Sequence, residues 1–351
     1  MSELRQDITT KEWVILAPER GKRPQQHTRR KRTDPDELPN WDSSCPFCPG
    51  NEKETPEEIL RIPADNESAE WAVRVVPNRF AALTPEGDTQ RTEEGPFSRK
   101  MGGYGAHEVI IDSPSHNTPL ALMPYQQIEK VLTTYRQRYN TLKKNRKLKH
   151  IIIFKNCGWA AGTSLVHPHS QLVATPIMAP YYHRKFDVAH DYYADLGRCL
   201  YCDLIAFDLE RGNNRIVAVT DNFLVIHPYA SHVPYETWIL PKLHHASFGL
   251  FPTGYIEELA KVVKDVTFCL YQGLDNPAYN LIVDSTTTDD EQDPYYHWHI
   301  RIIPRLSTIA GFEMGSGIYI STTLPEETAH HMREITRSCP GDICIAFQDI
   351  K

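Results

Sequence analysis

Cys45-Pro46-Phe47-Cys48 begins a string of metal-ligand residues that continues with His116 and ends with His167-Pro168-His169. The same string returns in the same order as Cys199-Leu200-Tyr201-Cys202, His244 and His297-Trp298-His299. The long spacings nearly agree, since 51 residues separate His116 from His167 and 53 separate His244 from His297. The sequence therefore predicts a duplicated module with one metal-binding string in each copy.

Two thiolates and two imidazoles complete a tetrahedral shell around zinc and leave no ligand position for water. We therefore predict two structural zinc sites, formed by Cys45, Cys48, His116 and His167 and by Cys199, Cys202, His244 and His297. Iron is the alternative ion for the second site, where His245 and His299 compete as ligands. A redox role for the C-x-x-C pairs is disfavoured, because we expect each pair to meet histidines rather than to open a helix.

Composition excludes several classes of protein. The 351 residues are 40% apolar and 24% charged, as in ordinary globular proteins, and they suffice for two packed domains. No run approaches the roughly 18 apolar residues of a membrane span, and residues 1–5 do not resemble a signal peptide. We therefore expect a cytoplasmic protein without a membrane partner, whose eight cysteines form no disulfides. The net charge of −7 disfavours nucleic acid as a partner.

The hydrophobic pattern repeats in step with the two strings. It predicts strands at 71–76 with a continuation at 80–83, 108–111 and 151–154, and again at 216–219, 223–226, 236–240 and 279–283. Each half has one predicted helix, at 125–142 and 255–271, and a terminal helix is predicted at 324–337. Glu108 and Glu236 each precede a ligand histidine by 8 residues and are interpreted as equivalent.

These elements predict an α+β fold with two pseudo-symmetric halves, residues 1–185 and 186–351. The antiparallel sheets of the halves are expected to join into one extended sheet with helices packed on it. The first half carries the His167-Pro168-His169 motif, and the second carries the other metal site and the C-terminal helix.

His169 is the candidate nucleophile. In an extended strand His167 and His169 point to the same side, so a metal on His167 would hold the strand while His169 faces the adjacent space. The preceding stretch 156–164 is rich in small residues, which lets backbone N–H groups approach an anion. Gln171 lies on the same side again. An imidazole, amide donors and a phosphate-sized loop suit attack on a phosphoryl group.

This motif resembles the active-site sequence of the galactose-1-phosphate uridylyltransferase family, the duplicated branch of the histidine-triad superfamily. Four further stretches share the resemblance: 17–24, 78–83, 105–109 and 311–314. The resemblance implies a histidine-triad-like fold in each half. It also implies a homodimer in which the partner subunit completes each site.

The resemblance implies a ping-pong nucleotidyl transfer. His169 would attack the α-phosphorus of a nucleoside diphosphate sugar and release sugar 1-phosphate; a second sugar 1-phosphate, or phosphate, would then attack the nucleotidyl-histidine. Gln171 and Ser164 would act with His169, and the implied substrate-binding residues are Arg20, Arg23, Asn78, Asn156, Gly162 and Thr163. Glutamine cannot protonate a poor leaving group, which favours transfer to a phosphate compound over hydrolysis.

The nucleobase and the acceptor stay open at this point. UDP-glucose with galactose 1-phosphate is the first expectation. Ser170, Leu165-Val166 and the pair Cys199/Cys202 depart from the best-known members and resemble the subgroup with a plant enzyme that phosphorolyses ADP-glucose. A zinc-stapled binding protein without turnover is the third alternative. Asp293-Pro294-Tyr295-Tyr296 precede the second H-x-H where the first has the small-residue loop, so catalysis is predicted in the first half.

Overall fold

The computed structural model describes residues 1–22, 37–65, 70–212, 214–339 and 346–347. Arg23 therefore lies outside the described residues. In chain order the strands are β1 (Glu3–Gln6), β2 (Trp13–Leu16), β3 (Leu60–Ile62), β4 (Val73–Pro77), β5 (Thr92–Glu93), β6 (Arg99–Lys100), β7 (Ala106–Ile111), β8 (His150–Cys157), β9 (His169–Thr175), β10 (Ile216–Val219), β11 (Phe223–Ile226), β12 (Thr237–Pro241), β13 (Tyr279–Asp284), β14 (His299–Pro304) and β15 (Tyr319–Ser321).

Ten of these strands form one antiparallel sheet in the order β10-β11-β12-β14-β13-β8-β9-β7-β4-β3. The halves meet where β8 pairs with β13, in a register that places Cys157 opposite Tyr279 and Ile153 opposite Val283. Five strands lie on each side of this joint in mirrored order. The predicted α+β fold with one extended sheet is therefore confirmed, and β1, β2 and β15 form a separate small sheet.

The described helices are α1 (Tyr125–Leu142), α2 (Pro180–Leu196), α3 (Leu200–Arg211), α4 (Ile256–Gly273), α5 (Gly311–Ser316) and α6 (Pro325–Ser338). The predicted helix at 125–142 is confirmed, as are those over α4 and α6 within two residues at each end. The expectation of one helix per half is wrong, because α2 and α3 follow β9. Pro180 opens α2, and Gly197 and Gly212 end α2 and α3 in the left-handed conformation that favours glycine.

The two faces of the sheet are covered differently. Helices α1 and α4 pack together on one face of the sheet. Neighbouring residues of β11 point to opposite faces, since Val225 joins the core under these helices while Leu224 points to the other face. In the C-terminal half α2 and α3 cover that other face. In the N-terminal half the segment with Cys45, Phe47 and Trp71 packs there instead. The second face of the N-terminal half is therefore not closed by a helix of the described chain.

The strand register corrects one expected equivalence. Gln171 and Arg301 are equivalent, because each lies two residues after the second histidine of its H-x-H motif. Their cross-strand partners are Val109 and Trp238, which are therefore equivalent too. The residue matching Glu236 is therefore His107, whereas Glu108 points to the helical face and pairs with Arg138 at 2.7 Å. The equal spacing of eight was misleading, because the loop from β7 to His116 is one residue longer than its counterpart.

Two further expectations are corrected, the strand at 80–83 and the absence of disulfides. Residues 80–83 form no strand, and Phe80 is exposed. The loop 84–106 contains the small exposed hairpin of β5 and β6. Cys339 is disulfide-bonded, contrary to the expectation of thiols only.

Within the described chain, none of the helices has the length and apolar character needed to cross a bilayer. The proposed boundary at 185 falls inside α2 and stays a prediction.

Acid should destabilise the fold partly through His227, a fully buried residue after β11 whose Nδ1 lies 2.7 Å from Thr328 Oγ1. Burial lowers the pKa of His227 to about 3. Between about pH 6.5 and pH 3 the unfolded chain binds a proton here that the folded chain does not, so the free energy of unfolding falls as the pH falls. The expected slope from this group is at most about 1.4 kcal/mol per pH unit.

Urea unfolding of His227→Gln and wild type at pH 7.5, 6 and 5 measures this slope. The variant should lose stability less steeply than wild type. The exposed His190→Gln is the matched control and should keep the wild-type slope. Equal slopes for His227→Gln and wild type would show that the buried imidazole does not contribute.

Candidate active site and metal centres

His169 begins β9 opposite Ile111 of β7 and is 6% exposed. Its Nδ1 lies 2.8 Å from the carbonyl oxygen of His167. A carbonyl only accepts, so Nδ1 carries the proton and Nε2 carries the lone pair. Burial lowers the pKa of His169, which favours the neutral ring. Nε2 has no hydrogen-bond partner among the described residues and is available as a nucleophile.

Gln171 lies two residues along the same strand and is held by a histidine that the sequence analysis did not select. The Ala82 N–H donates to His107 Nδ1 at 3.1 Å, so His107 Nε2 carries a proton and donates to Gln171 Oε1 at 2.8 Å. This fixes the amide of Gln171 with its NH₂ group turned away from His107. Asn78 Nδ2 lies 3.4 Å from the same oxygen. The sequence does contain a signal for His107. It lies two residues before Val109 on the same strand, and Val109 is the cross-strand partner of Gln171.

Asn156 and the small-residue loop follow on the neighbouring strand β8. Phe154 is opposite Gln171, and continuing this antiparallel register brings Asn156 beside His169 on the same face. A one-turn 3-10 helix at Trp159–Ala161 lies between Gly158 and Gly162, whose φ angles of 81° and 91° disfavour residues with a side chain. The loop backbone thus turns tightly next to Asn156, since a Cβ at Gly162 would lie 3.8 Å from Asn156 Nδ2.

The remaining predicted site residues are exposed or partly exposed. Ser164 is exposed, and Thr163 Oγ1 donates to the Leu165 carbonyl at 3.0 Å. Arg20 is exposed in the 3-10 helix Pro18–Lys22. No contact in the described part of the chain joins Arg20 to His169 or Gln171. The structure therefore brings together Asn156, His169, Gln171 and Asn78, but leaves Arg20 apart from them.

A buried polar network supports the back of the His169 strand. Lys155 Nζ donates to Asp112 Oδ2 at 2.7 Å and to the carbonyl oxygen of His169 at 3.1 Å. Ser170 Oγ donates to the same carboxylate at 2.9 Å, and the Tyr135 hydroxyl reaches Ser170. These groups lie on the helical face, so a charged pair fixes the backbone of His169 without touching its ring. Lys155 and Asp112 are not among the site residues predicted from the sequence.

The first predicted metal cluster assembles as expected. The ligand atoms of Cys45, Cys48, His116 and His167 lie within 4.8 Å of one another, and all four residues are buried. Cys48 Sγ is 3.3 Å from His116 Nδ1 and 3.6 Å from His167 Nδ1. Zinc with ordinary bond lengths holds a sulfur and a nitrogen ligand about 3.5 Å apart, so the donor set fits this ion. His167 Nε2 donates to the Ser113 carbonyl, which leaves Nδ1 for a metal.

The second cluster has the same form but greater exposure. The ligand atoms of Cys199, Cys202, His244 and His297 also lie within 4.8 Å of one another. Both histidines donate from Nε2 to carbonyls, those of Asp293 and Pro241, and so present Nδ1. Cys202 is half-buried and His244 is exposed. The pair Cys199/Cys202 does open a helix, α3, contrary to expectation, yet two imidazoles lie beside it, so the four residues could hold a metal ion.

His299 occupies the place of His169 in the C-terminal half, but both of its ring nitrogens are engaged. Nδ1 bonds to the His297 carbonyl at 3.0 Å, as in the first half. Nε2 lies 3.1 Å from Lys185 Nζ and 3.2 Å from Asp284 Oδ2. Lys185 comes from α2, the helix that covers this face. His299 is fully buried and cannot reach a substrate.

The residues around His299 differ from those around His169 in charge. By register, Asp284 stands where Asn156 stands and Arg301 where Gln171 stands. Burial alone would raise the pKa of Asp284, but Arg301 and Lys185, each 2.7 Å from its Oδ2, lower it well below its usual range. Two neutral amides in one half thus correspond to a buried ion cluster in the other. The predicted loss of catalysis in the second half has this physical basis.

Comparisons with known proteins show similarity along nearly the whole chain. A family model described as the N-terminal domain of galactose-1-phosphate uridyl transferase matches residues 1–179. The chain is 34% identical over 337 residues to ADP-glucose phosphorylase of Arabidopsis thaliana, which covers 95% of this chain and 93% of the relative. It is 30% identical over 343 residues to galactose-1-phosphate uridylyltransferase of Thermotoga maritima, with coverage of 95% and 98%.

The solved structures extend the similarity to the whole fold. A crystal structure of an ADP-glucose phosphorylase from Arabidopsis thaliana with bound ADP-glucose matches with a TM-score of 0.81 at 32% sequence identity. The match covers 95% of this chain and 99% of that one. Both halves are therefore shared with the relatives, as the joined sheet requires.

The ion cluster around Asp284 makes a stability prediction. Asp284→Asn leaves Lys185 and Arg301 buried without a carboxylate, which should cost about 3–5 kcal/mol of unfolding free energy. The matched control is Asp289→Asn, which removes a half-exposed pair with Lys149 and should cost less than about 1 kcal/mol. Urea denaturation of both variants and wild type measures the difference. Equal small losses in the two variants would contradict the role of the cluster.

Proposed function

The chain belongs to the galactose-1-phosphate uridylyltransferase family, and we propose that it transfers a nucleotidyl group through a covalent bond to His169. It is an enzyme, a nucleotidyltransferase. One observation carries the covalent route: His169 Nδ1 is held by a carbonyl, so the lone pair is on Nε2, on the sheet face that also carries Asn156 and Gln171. Among the described residues no charged side chain hydrogen-bonds to this nitrogen, in contrast to His299.

The reaction divides into two displacements. The Nε2 lone pair attacks the α-phosphorus of a nucleoside diphosphate sugar, and the bond from this phosphorus to the sugar phosphate oxygen breaks. The sugar 1-phosphate leaves as an anion with the bonding electrons. In the second displacement an oxygen of the acceptor phosphate attacks the same phosphorus, and the bond to Nε2 breaks. His169 is then neutral again, and no net proton is required.

The neighbours of His169 suit this chemistry. The N–H donors of Gln171 and Asn156 and the Ser164 hydroxyl would stabilise charge on the phosphoryl oxygens, and Gly162 and Thr163 would let the loop backbone approach them. The side chain of Gln171 has no titratable proton, so a leaving group must be stable as an anion, as a sugar phosphate is. Arg20 and Arg23 would bind phosphates and Asn78 the ribose, and the proposed homodimer would complete the site.

The donor has two candidates. UDP-glucose with galactose 1-phosphate as acceptor is the first, and the Thermotoga maritima relative supports it. ADP-glucose with phosphate as acceptor is the second. The Arabidopsis thaliana ADP-glucose phosphorylase favours it, with 34% identity in sequence and a TM-score of 0.81 for the structure with bound ADP-glucose. Both donors use the same displacement at the α-phosphorus. A cytoplasmic location stays part of the proposal.

Labelling with nucleotide separates these candidates. Wild-type protein is incubated with UDP-glucose or ADP-glucose labelled at the α-phosphorus, and both protein-bound label and free glucose 1-phosphate are measured. The donor should give one equivalent of each per active site, with the label stable to alkali and labile to acid, as expected of a phosphorus–nitrogen bond. His169→Gly should give neither product.

The matched control is His299→Gln in the second half, measured only if its thermal unfolding shows a folded protein. It should still be labelled, because His299 does not face the substrate. If neither donor labels the wild-type protein while substrates are still converted, the covalent route is wrong. If the protein binds nucleotide but converts no substrate, it is the zinc-stapled binding protein without turnover.

The two metal clusters should differ in lability. We propose zinc in both, with closed shells that leave the metals structural. Dialysed protein should hold two equivalents, and a chelator should remove one of them faster, because Cys202 and His244 are accessible while every ligand of the first cluster is buried. Metal analysis after timed chelation gives the rates. Cys202→Ser should retain one slowly exchanging equivalent; equal release of both would contradict the assignment.

A further inference from the structure

A short chain of hydrogen bonds crosses the joint between the two halves beside the small-residue loop. Asn280 of β13 is the register partner of Asn156 of β8. Asn280 Nδ2 donates to Asn156 Oδ1 at 2.8 Å and to the Ala161 carbonyl at 2.9 Å. Arg305 Nε donates to Asn280 Oδ1 at 2.5 Å. Asn280 is buried, so this set of contacts is sheltered from water.

The partners at the two ends fix the direction of every amide in the chain. Arg305 can only donate, so the group facing it is the oxygen of Asn280. The Ala161 carbonyl can only accept, so the group facing it is the nitrogen of Asn280. That nitrogen must meet the oxygen of Asn156. The NH₂ group of Asn156 is therefore turned away from Asn280, toward Gly162 in the loop.

The same strand also supports the loop sterically. A Cβ at Gly158 would lie 2.8 Å from Ala278 Cβ, so the loop rests directly on the residue before β13. The Arg305 N–H donates to the Ala278 carbonyl at 2.7 Å, which ties β14 to this point. The loop before His169 is thus held by residues of the half whose own histidine lies in an ion cluster.

We propose that Asn280 and Arg305 are positioning residues for nucleotidyl transfer at His169. They hold Asn156 so that its N–H donors, rather than its oxygen, face the phosphoryl group. This inference rests on the proposed function, because it assigns a role to Asn156 in stabilising the reacting phosphoryl oxygens. An amide in the opposite orientation would present an oxygen to those oxygens and repel them.

Asn280→Asp tests the orientation with almost no change of shape. The new carboxylate still accepts from Arg305 but cannot donate to Asn156 or to Ala161. Asn156 is then expected to turn its NH₂ group toward the carboxylate and its oxygen toward the substrate. Losing one preorganised donor typically lowers the rate about 100-fold, so the maximal rate of His169 labelling should fall about 10- to 100-fold. The half-saturating donor concentration should change little.

A double-mutant comparison shows whether the effect passes through Asn156. Asn156→Ala alone should also slow labelling. Adding Asn280→Asp to it should cause no further loss, because the amide that Asn280 orients is gone. Losses that multiply in the double variant would overturn the proposal, as would a wild-type labelling rate in Asn280→Asp.

The control and the second variant keep the test independent of folding. Ile282→Val changes the same face of β13 without a hydrogen bond and should label at the wild-type rate. If thermal unfolding shows that Asn280→Asp is not folded, Arg305→Gln replaces it, and a loss of about 3- to 10-fold is expected because Ala161 still holds Asn280. An unchanged rate in Arg305→Gln would overturn the proposal. Absence of labelling in wild type would instead refute the proposed function.

Discussion

The antiparallel pairing of β8 with β13 is the constraint on which the rest of the molecule depends. Each half alone would end in a strand with a row of unpaired N–H and C=O groups, which is costly when buried and prone to association when exposed. Pairing these two edges satisfies both rows and makes a single ten-stranded sheet. The register of the same pair brings Asn280 opposite Asn156. The joint that completes the fold thus also brings the C-terminal half to the small-residue loop before His169.

The two halves place the same histidine geometry in surroundings that differ in burial and charge. His169 and His299 both hold Nδ1 on a carbonyl two residues back. In the C-terminal half α2 closes the face over His299, and a charge buried there must be paired and hydrogen-bonded. Asp284, Lys185 and Arg301 meet that demand together. In the N-terminal half the corresponding positions carry neutral amides, which tolerate partial exposure and can turn their donors toward an anion.

The repeated ligand string was sufficient to predict the duplicated fold and both metal clusters, because ligand residues must converge on one point wherever the chain runs. It could not predict α2 and α3. Helix α2 contains four tyrosines and three aspartates but a single leucine, and α3 is only 12 residues long. Pro180, Gly197 and Gly212 are the signals that mark their ends. The Asn280 contacts were beyond sequence reasoning for a different reason. They depend on the register across the joint, and a shift of one residue would turn Asn280 to the opposite face.

The first Cys/His cluster and His169 are linked through a single residue. His167 presents Nδ1 to the cluster and donates from Nε2 to Ser113, so its ring is held from both sides. Its carbonyl accepts the proton of His169 Nδ1 and so selects the tautomer with a free Nε2. Lys155 holds the His169 carbonyl from the opposite face. The backbone between the two histidines is therefore fixed at each end, so a metal in the first cluster would hold His169 in place through the backbone, from two residues away, and not through its Nε2.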